Sequence, residues 1–327
     1  MRLVRALVGC ACACGAASLA FAAEPDYAKC RDIKDDKERL ACFDAVDLAR
    51  AGTSPSYLER VWKLGEAGKI SIADVQPYRP IYVLLGKWTD DVNTQPSSPA
   101  PNHTTPTPIP WNTDEAAFQL SFKSELVSRH DFDGKILGLK NARLWFAYTQ
   151  RSFWQVYTPR LSRPFRETNY EPEAILTFST GNEDDGWKLL NIGLVHQSNG
   201  RSLPQSRSWN RVYAQGGWEW GRFSVLARAW YRIPENAEND DNPDIQDYLG
   251  RGDVQLRWNM ENDKSVSALI RHALNSGRGY VELAWNSRKL IGPARIYIQA
   301  TSGYGESLID YNFRQNTIGI GFAYSDW

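Results

Sequence analysis

Two polar side chains interrupt an otherwise apolar strand face in NIGLVHQSNG, residues 191–200. Ile192, Leu194, His196 and Ser198 recur at period two, so an extended chain points all four the same way. Residues two apart on a strand are separated by about 6.6 Å, a gap that an imidazole leaning along the strand can span. An imidazole and a hydroxyl so placed are a general base and a nucleophile. In the following segment, SWNRVYAQ, Asn210 shares its face with Val212 and Ala214. A hairpin sets Asn210 beside His196, where an amide can fix the tautomer and orientation of the ring. On an apolar wall a carboxylate in that role would carry a heavy desolvation cost, whereas an amide needs only hydrogen bonds. The chemistry of the trio is hydrolytic: Ser198 attacks an acyl carbonyl and His196 takes its proton. The other histidines, His103, His130 and His272, read as surface or packed residues.

The elements that must position this trio are strands. Alternation is clearest late in the chain. Val254, Leu256 and Trp258 oppose Asp253, Gln255 and Arg257, and Ile318, Ile320, Phe322 and Tyr324 share one face. Strands are expected at 78–88, 115–126, 142–157, 170–180, 186–198, 208–219, 221–232, 246–259, 263–273, 278–287, 293–304 and 313–325. Long connections mostly alternate with tight turns, with exceptions at 274–277 and 127–141. The expected fold is all-β: a twelve-stranded antiparallel transmembrane β-barrel with a short N-terminal periplasmic helical segment. Composition agrees with it. Mean hydropathy is −0.49, yet there are 13 Trp, 15 Tyr and 12 Phe. A polar lumen with aromatic girdles produces that combination. The mature chain has no run of about 18 apolar residues, so a membrane-crossing helix is not expected.

The N-terminus sets the compartment. Arg2 and Arg5 precede an Ala/Leu/Val/Cys stretch that ends in Ala20-Phe21-Ala22, the pattern of a signal peptide over 1–22. Residues 23–77 read as a periplasmic N-terminal segment and linker, and 78–327 as the outer-membrane barrel. Cys10, Cys12 and Cys14 leave with the signal, and Cys30 and Cys42 remain as a pair expected to form a disulfide. Loss of residues 1–22 leaves 36 basic side chains against 38 acidic ones, which argues against a nucleic-acid partner. The Pro/Thr/Ser-rich 95–110 reads as a mobile external loop. The acidic run 238–244 lacks the Gly and distal Glu of an EF-hand and reads as a solvated external loop.

The segment VHQSNGRSLPQSRSWNRVY at 195–213 strongly resembles the active-site segment of the bacterial outer membrane phospholipase A family. RPFRETNYEPE at 163–173, SGYGESLIDYNFRQ at 302–315 and, more weakly, DDNPDI at 240–245 are similar to the same family. The resemblance spans roughly 78–327. It implies a twelve-stranded barrel in the outer membrane of a Gram-negative bacterium, active as a homodimer. The implied reaction is calcium-dependent hydrolysis of glycerophospholipid acyl esters, at sn-1 and sn-2, by a triad of Ser198, His196 and Asn210. The family's calcium site maps onto Ser162 and the backbone carbonyls of Arg201 and Ser206, Ser206 coming from the partner subunit. Oxygen-only donors suit a hard cation, although Arg163 places a positive charge beside Ser162. Gln150 shares a face with Leu144, Phe146 and Tyr148, and matches the family's dimer-contact glutamine. A passive structural or porin-like barrel is the alternative, set against the narrow lumen that twelve strands leave. Trp327 gives the aromatic end that outer-membrane barrels often carry.

Overall fold

The computed structural model describes residues 30, 33–51, 55–65, 75–133, 138–163, 165–182 and 184–325. The signal segment 1–22 and Trp327 lie outside the described residues. The chain divides into two compact units, Met1–Pro55 and Ser56–Trp327. In the first, a helix spans Asp36–Ala51, and the Asp35 carboxylate accepts the N–H groups of Lys37 and Glu38, both at 2.9 Å. That cap satisfies donors a helix start leaves open. The expected Cys30–Cys42 disulfide is present.

The second unit is built of strands. A short β1 (Val75–Pro77) precedes β2 (Ile81–Thr89), β3 (Asp114–Asp133), β4 (Lys140–Trp154), β5 (Glu167–Ser179), β6 (Gly186–Ser198) and β7 (Ser208–Trp220). Then follow β8 (Phe223–Arg232), β9 (Gly252–Asn259), β10 (Ser265–Ala273), β11 (Arg278–Asn286), β12 (Arg295–Tyr304) and β13 (Arg314–Ser325). Each of β2–β13 pairs antiparallel with its neighbours in sequence, and β13 returns to β2, so twelve strands close into a barrel. Closure leaves no unpaired edge, the condition for crossing a bilayer with strands. No described helix is long and apolar enough to cross a membrane.

Polarity is inverted relative to a water-soluble protein. Outward positions carry Leu194, Leu283, Ile318 and Ile320, each about half exposed, whereas Glu115, Lys123, Glu173, Arg211 and Gln299 are buried within. Several of the inward charges are paired. Arg79 reaches Glu171 at 2.8 Å and Glu173 at 2.6 Å, and Tyr213 donates to Glu173 at 3.0 Å. Arg166 joins Glu115 on β3 to Asp310 in the β12–β13 loop, both at 2.8 Å. These networks cross the lumen and leave a polar cavity of about 130 Å³, far too small for the open channel of a porin. At the other end a short helix, Tyr57–Trp62, lies against inward-facing residues. Its first N–H groups, on Tyr57 and Leu58, donate to Glu219 of β7 at 2.9 and 3.2 Å. The buried Lys123 Nζ sits 3.5 Å from the centre of the Trp62 ring, over its aromatic face.

Three expectations change. The gap expected at 127–141 shrinks because β3 continues to Asp133, which removes one exception to the loop alternation. The strand expected at 246–259 begins only at Gly252. Residues Gln246–Leu249 form a helical turn that ends at Gly250, whose φ of 72° and close approach to His272 carbonyl oxygen admit no Cβ. The segment 95–110 has no regular structure but is fastened. Ser98 N–H donates to His103 O at 3.0 Å, Ser98 Oγ to Asp241 O at 2.6 Å, and Asn312 Nδ2 to Ser97 O at 2.9 Å.

Removing Arg166 takes the guanidinium from two buried carboxylates, leaving Glu115 with Lys87 and Asp310 with the Ser307 hydroxyl. Arg166→Ala is expected to lower barrel stability by about 3–5 kcal/mol, read as the urea midpoint of refolded protein in detergent. A midpoint unchanged from the parent would show that the pairing contributes nothing.

Candidate active site

The β6–β7 hairpin sets His196 directly opposite Asn210, with Leu194 opposite Val212 and Ser198 opposite Ser208. All of these face outward: Ile192, Leu194 and Val212 are 43, 54 and 40% exposed on the same wall. The histidine and the amide meet at 2.8 Å, Nδ1 to Oδ1. The amide oxygen can only accept, so Nδ1 carries the proton and Nε2 keeps its lone pair. Ser198 lies two residues further along the same face, and its hydroxyl has no hydrogen-bond partner among the described residues. The wall beneath is stiff. Gln197 Oε1, pointing inward, accepts from Trp209 Nε1 at 2.8 Å and from Arg211 Nη2 at 3.1 Å, and Arg211 stacks 4.0 Å from the Trp209 ring.

A fourth residue joins this line. Asn210 Nδ2 donates to Glu235 Oε1 at 2.8 Å, and Arg232 Nη2 stands 3.7 Å from Glu235 Oε2. Ile233 N–H bonds to Asn210 O at 2.9 Å, so the chain leaving β8 is held beside the amide just before Glu235. Partial burial pushes the Glu235 carboxyl above its ordinary range. Arg232 and the Asn210 hydrogen bond oppose that rise, and Asp240 and Asp241 add to it. Nothing in the sequence periodicity points to Glu235, since it lies in a loop 25 positions after Asn210.

The loop after Ser198 is braced by Asn199. Its Oδ1 accepts the N–H groups of Arg201 (3.3 Å) and Arg207 (3.0 Å), and its Nδ2 donates to Gln205 O at 2.8 Å. Gly200, at φ 62°, leaves room for the Tyr170 ring, which a Cβ would meet at 3.1 Å. Its N–H makes no hydrogen bond among the described residues, while those of Asn199 and Arg201 are engaged. Of the sequence-predicted calcium residues, Arg201 and Ser206 share this loop and Ser162 lies in the β4–β5 loop. Ser162 O accepts from Trp154 Nε1 at 2.9 Å, and Ser206 O accepts from Arg207 Nη1 at 2.6 Å. The carbonyl and hydroxyl oxygens fit a hard cation in kind, with Arg207 already sharing the Ser206 carbonyl. The described residues contain no group of three or more His, Cys, Asp or Glu placed to hold a metal ion.

Asp241, read from sequence as part of a solvated run, instead ties three segments together. Its Oδ2 accepts from Ser206 Oγ at 2.7 Å and Ser208 Oγ at 3.1 Å, and its Oδ1 meets His103 Nε2 at 2.9 Å. Gln150 faces outward as expected, with its amide partly engaged: Tyr148 OH donates to its Oε1 at 3.1 Å, and its Nε2 donates to Ser152 Oγ at 3.2 Å.

The sequence profile of the Phospholipase A1 family matches residues 58–324. The chain belongs to the phospholipase A1 family. It is 37% identical over 292 residues to the putative phospholipase A1 of Neisseria meningitidis serogroup B, covering 86% of this chain and 74% of that protein. Two solved structures share the barrel. One is an Asn-to-Ala active-site mutant of Escherichia coli outer membrane phospholipase A at pH 6.1, at 34% identity and TM-score 0.66, covering 80% of this chain and 95% of that one. The other is the Salmonella typhi outer membrane phospholipase dimer with bound calcium, at 35% identity and TM-score 0.66, covering 78% and 93%. This phospholipase A1 family member is therefore an enzyme carried on an outer-membrane β-barrel of the Gram-negative type.

Asp241 gathers so many donors that its removal should loosen the loops without touching the barrel. Asp241→Ala is expected to cost about 1–3 kcal/mol and to speed proteolytic cleavage in 95–110 and 199–207, read by mass spectrometry. Unchanged cleavage would refute the tie.

Proposed function

We propose that the protein is a calcium-dependent phospholipase A that cleaves glycerophospholipid acyl esters, at sn-1 and sn-2, with Ser198, His196 and Asn210 as its triad, and that it works as a homodimer. The observation that carries this reading is the 2.8 Å contact from His196 Nδ1 to Asn210 Oδ1 on a wall that faces lipid. Polar groups are rare on such a wall and usually functional. There the membrane itself delivers the ester, so no soluble-substrate pocket is required.

In the proposed reaction Ser198 Oγ attacks the ester carbonyl as His196 Nε2 takes its proton. The imidazolium that forms is held by Asn210 Oδ1 through Nδ1–H. The free Gly200 N–H lies two residues after Ser198 and is the candidate donor to the oxyanion. Collapse breaks the ester bond, and His196 returns the proton to the glycerol oxygen as it leaves. Water, deprotonated by His196, then releases the fatty acid from Ser198. Calcium held by Ser162 and by the carbonyls of Arg201 and Ser206, the Ser206 oxygen coming from the second subunit, would supply positive charge to polarise the carbonyl. The calcium-bound Salmonella typhi dimer supports both the ion and the assembly, and the E. coli active-site mutant supports an asparagine in the triad. Gln150 is the proposed contact across the dimer, using the amide capacity that Tyr148 and Ser152 leave open. Residues 1–22 are the proposed signal peptide, 23–77 a periplasmic segment and linker, and 78–327 the barrel domain, with Ser56–Trp62 drawn into its mouth.

Ser198→Ala is expected to reduce phospholipid hydrolysis by at least about 10³-fold, with barrel insertion intact by heat-modified gel migration. EDTA should abolish activity, and added calcium should restore it. Persistent hydrolysis in Ser198→Ala, or indifference to EDTA, would refute the mechanism. Gln150→Ala should weaken chemical cross-linking of dimers in detergent, and equal cross-linking would rule out that contact.

A further inference from the structure

Asparagine is an ambiguous orienting group, because its oxygen and nitrogen ends have almost the same shape. With Oδ1 toward His196 the ring keeps its proton on Nδ1 and offers a basic Nε2 to Ser198. With the amide flipped, Nδ2 would donate to Nδ1, the proton would move to Nε2, and the base would be lost. Something must choose between these states. The residue in contact with the far end of the amide is Glu235, at 2.8 Å from Asn210 Nδ2. An ionised carboxylate has no proton to give, so only the Nδ2 end can face it without two acceptors opposing each other.

We propose that Glu235 is a positioning residue of the active site: it selects the productive face of Asn210 and, through that amide, supports positive charge on His196. This rests on the reading of Ser198, His196 and Asn210 as the triad. The placement makes physical sense for a lipid-facing site. The negative charge is withdrawn from the wall to the loop beyond β8, where Arg232 lies 3.7 Å from it and also pairs with Asp240. The charged groups around Glu235 are then Arg232 on β8 and the loop residues Asp240 and Asp241. Because burial and those two aspartates raise the Glu235 carboxyl, mild acid should protonate it sooner than an isolated glutamate. A protonated carboxyl can donate to Oδ1 and so tolerate the flipped amide.

The test is a double-mutant cycle on full-length refolded enzyme, with phospholipid in mixed micelles and saturating calcium. Glu235→Ala is expected to lower kcat about tenfold with little change in KM. Glu235→Gln, nearly the same shape but able to donate as well as accept, should fall between it and the parent. In Glu235→Gln the acid limb of the kcat/KM profile should move to lower pH, since the imidazolium loses a supporting charge. In an Asn210→Ala background, Glu235→Ala should cost no further activity. The proposal is overturned if Glu235→Ala costs the same factor with and without Asn210, or if both Glu235 variants match the parent in kcat and pH profile. Ser198→Ala run alongside keeps the two questions apart: activity surviving there refutes the triad, whereas additive losses with Ser198→Ala inactive refute only the role of Glu235.

Discussion

Lipid on the outside of a closed sheet is the constraint from which the rest of this structure follows. A bilayer offers no hydrogen bonds, so every backbone group on β2–β13 must find its partner in a neighbouring strand, and the ring must close. Once it closes, period two sends half of each strand into lipid and half into a narrow lumen crossed by side chains. Apolar side chains such as Leu194 and Ile320 then belong outside, and the lumen collects charges that must satisfy one another. Arg79 between Glu171 and Glu173, and Arg166 between Glu115 and Asp310, are the outcome. Breaking such a pair is costly because the remaining charge has nowhere to go. The networks therefore brace the inner wall, and a braced wall can hold an outer face to fixed geometry.

The same constraint shapes the site. Polar groups on the lipid face need hydrogen-bond partners, and His196 and Asn210 satisfy each other without placing a formal charge in the apolar belt. The carboxylate that would complete the line in water sits one residue further out, as Glu235, where the loop lets Arg232 approach. Desolvation thus separates two jobs. The amide touches the ring, and the charge stands behind the amide. Inside the barrel Gln197, Trp209 and Arg211 lock the inward side of the same two strands, so the outward side chains inherit a rigid backbone.

Much of this was legible in sequence because strand periodicity is local. The face shared by Ile192, Leu194, His196 and Ser198, and the pairing of His196 with Asn210, follow from counting by two and assuming a hairpin. The features that were not legible are those set by loops, where no period operates. The proline-rich segment 95–110 read as mobile, yet Ser98 and His103 bind it to Asp241, a residue more than a hundred positions away. The alternation that favoured a strand from 246 was overridden at Gly250, where the backbone passes too close to His272 for any side chain. Glu235 is illegible in sequence for the same reason: its partner is fixed by how the chain leaves β8, and composition carries no trace of that.

The two halves of the proposed site differ in how firmly they are held. The trio stands on paired strands over a locked inner wall. The oxygens assigned to calcium stand on loops, and one of them, the Ser206 carbonyl, is occupied by the Arg207 guanidinium. Under the proposed mechanism a calcium ion arriving at that carbonyl would meet a resident cation, and its binding would gain if a second subunit brought further oxygen donors to the loop. An enzyme immersed in its own substrate cannot be regulated by substrate supply. On the proposed reading the trio stands on the barrel and the ion would stand on loops, so the step that completes the site would be the meeting of two subunits.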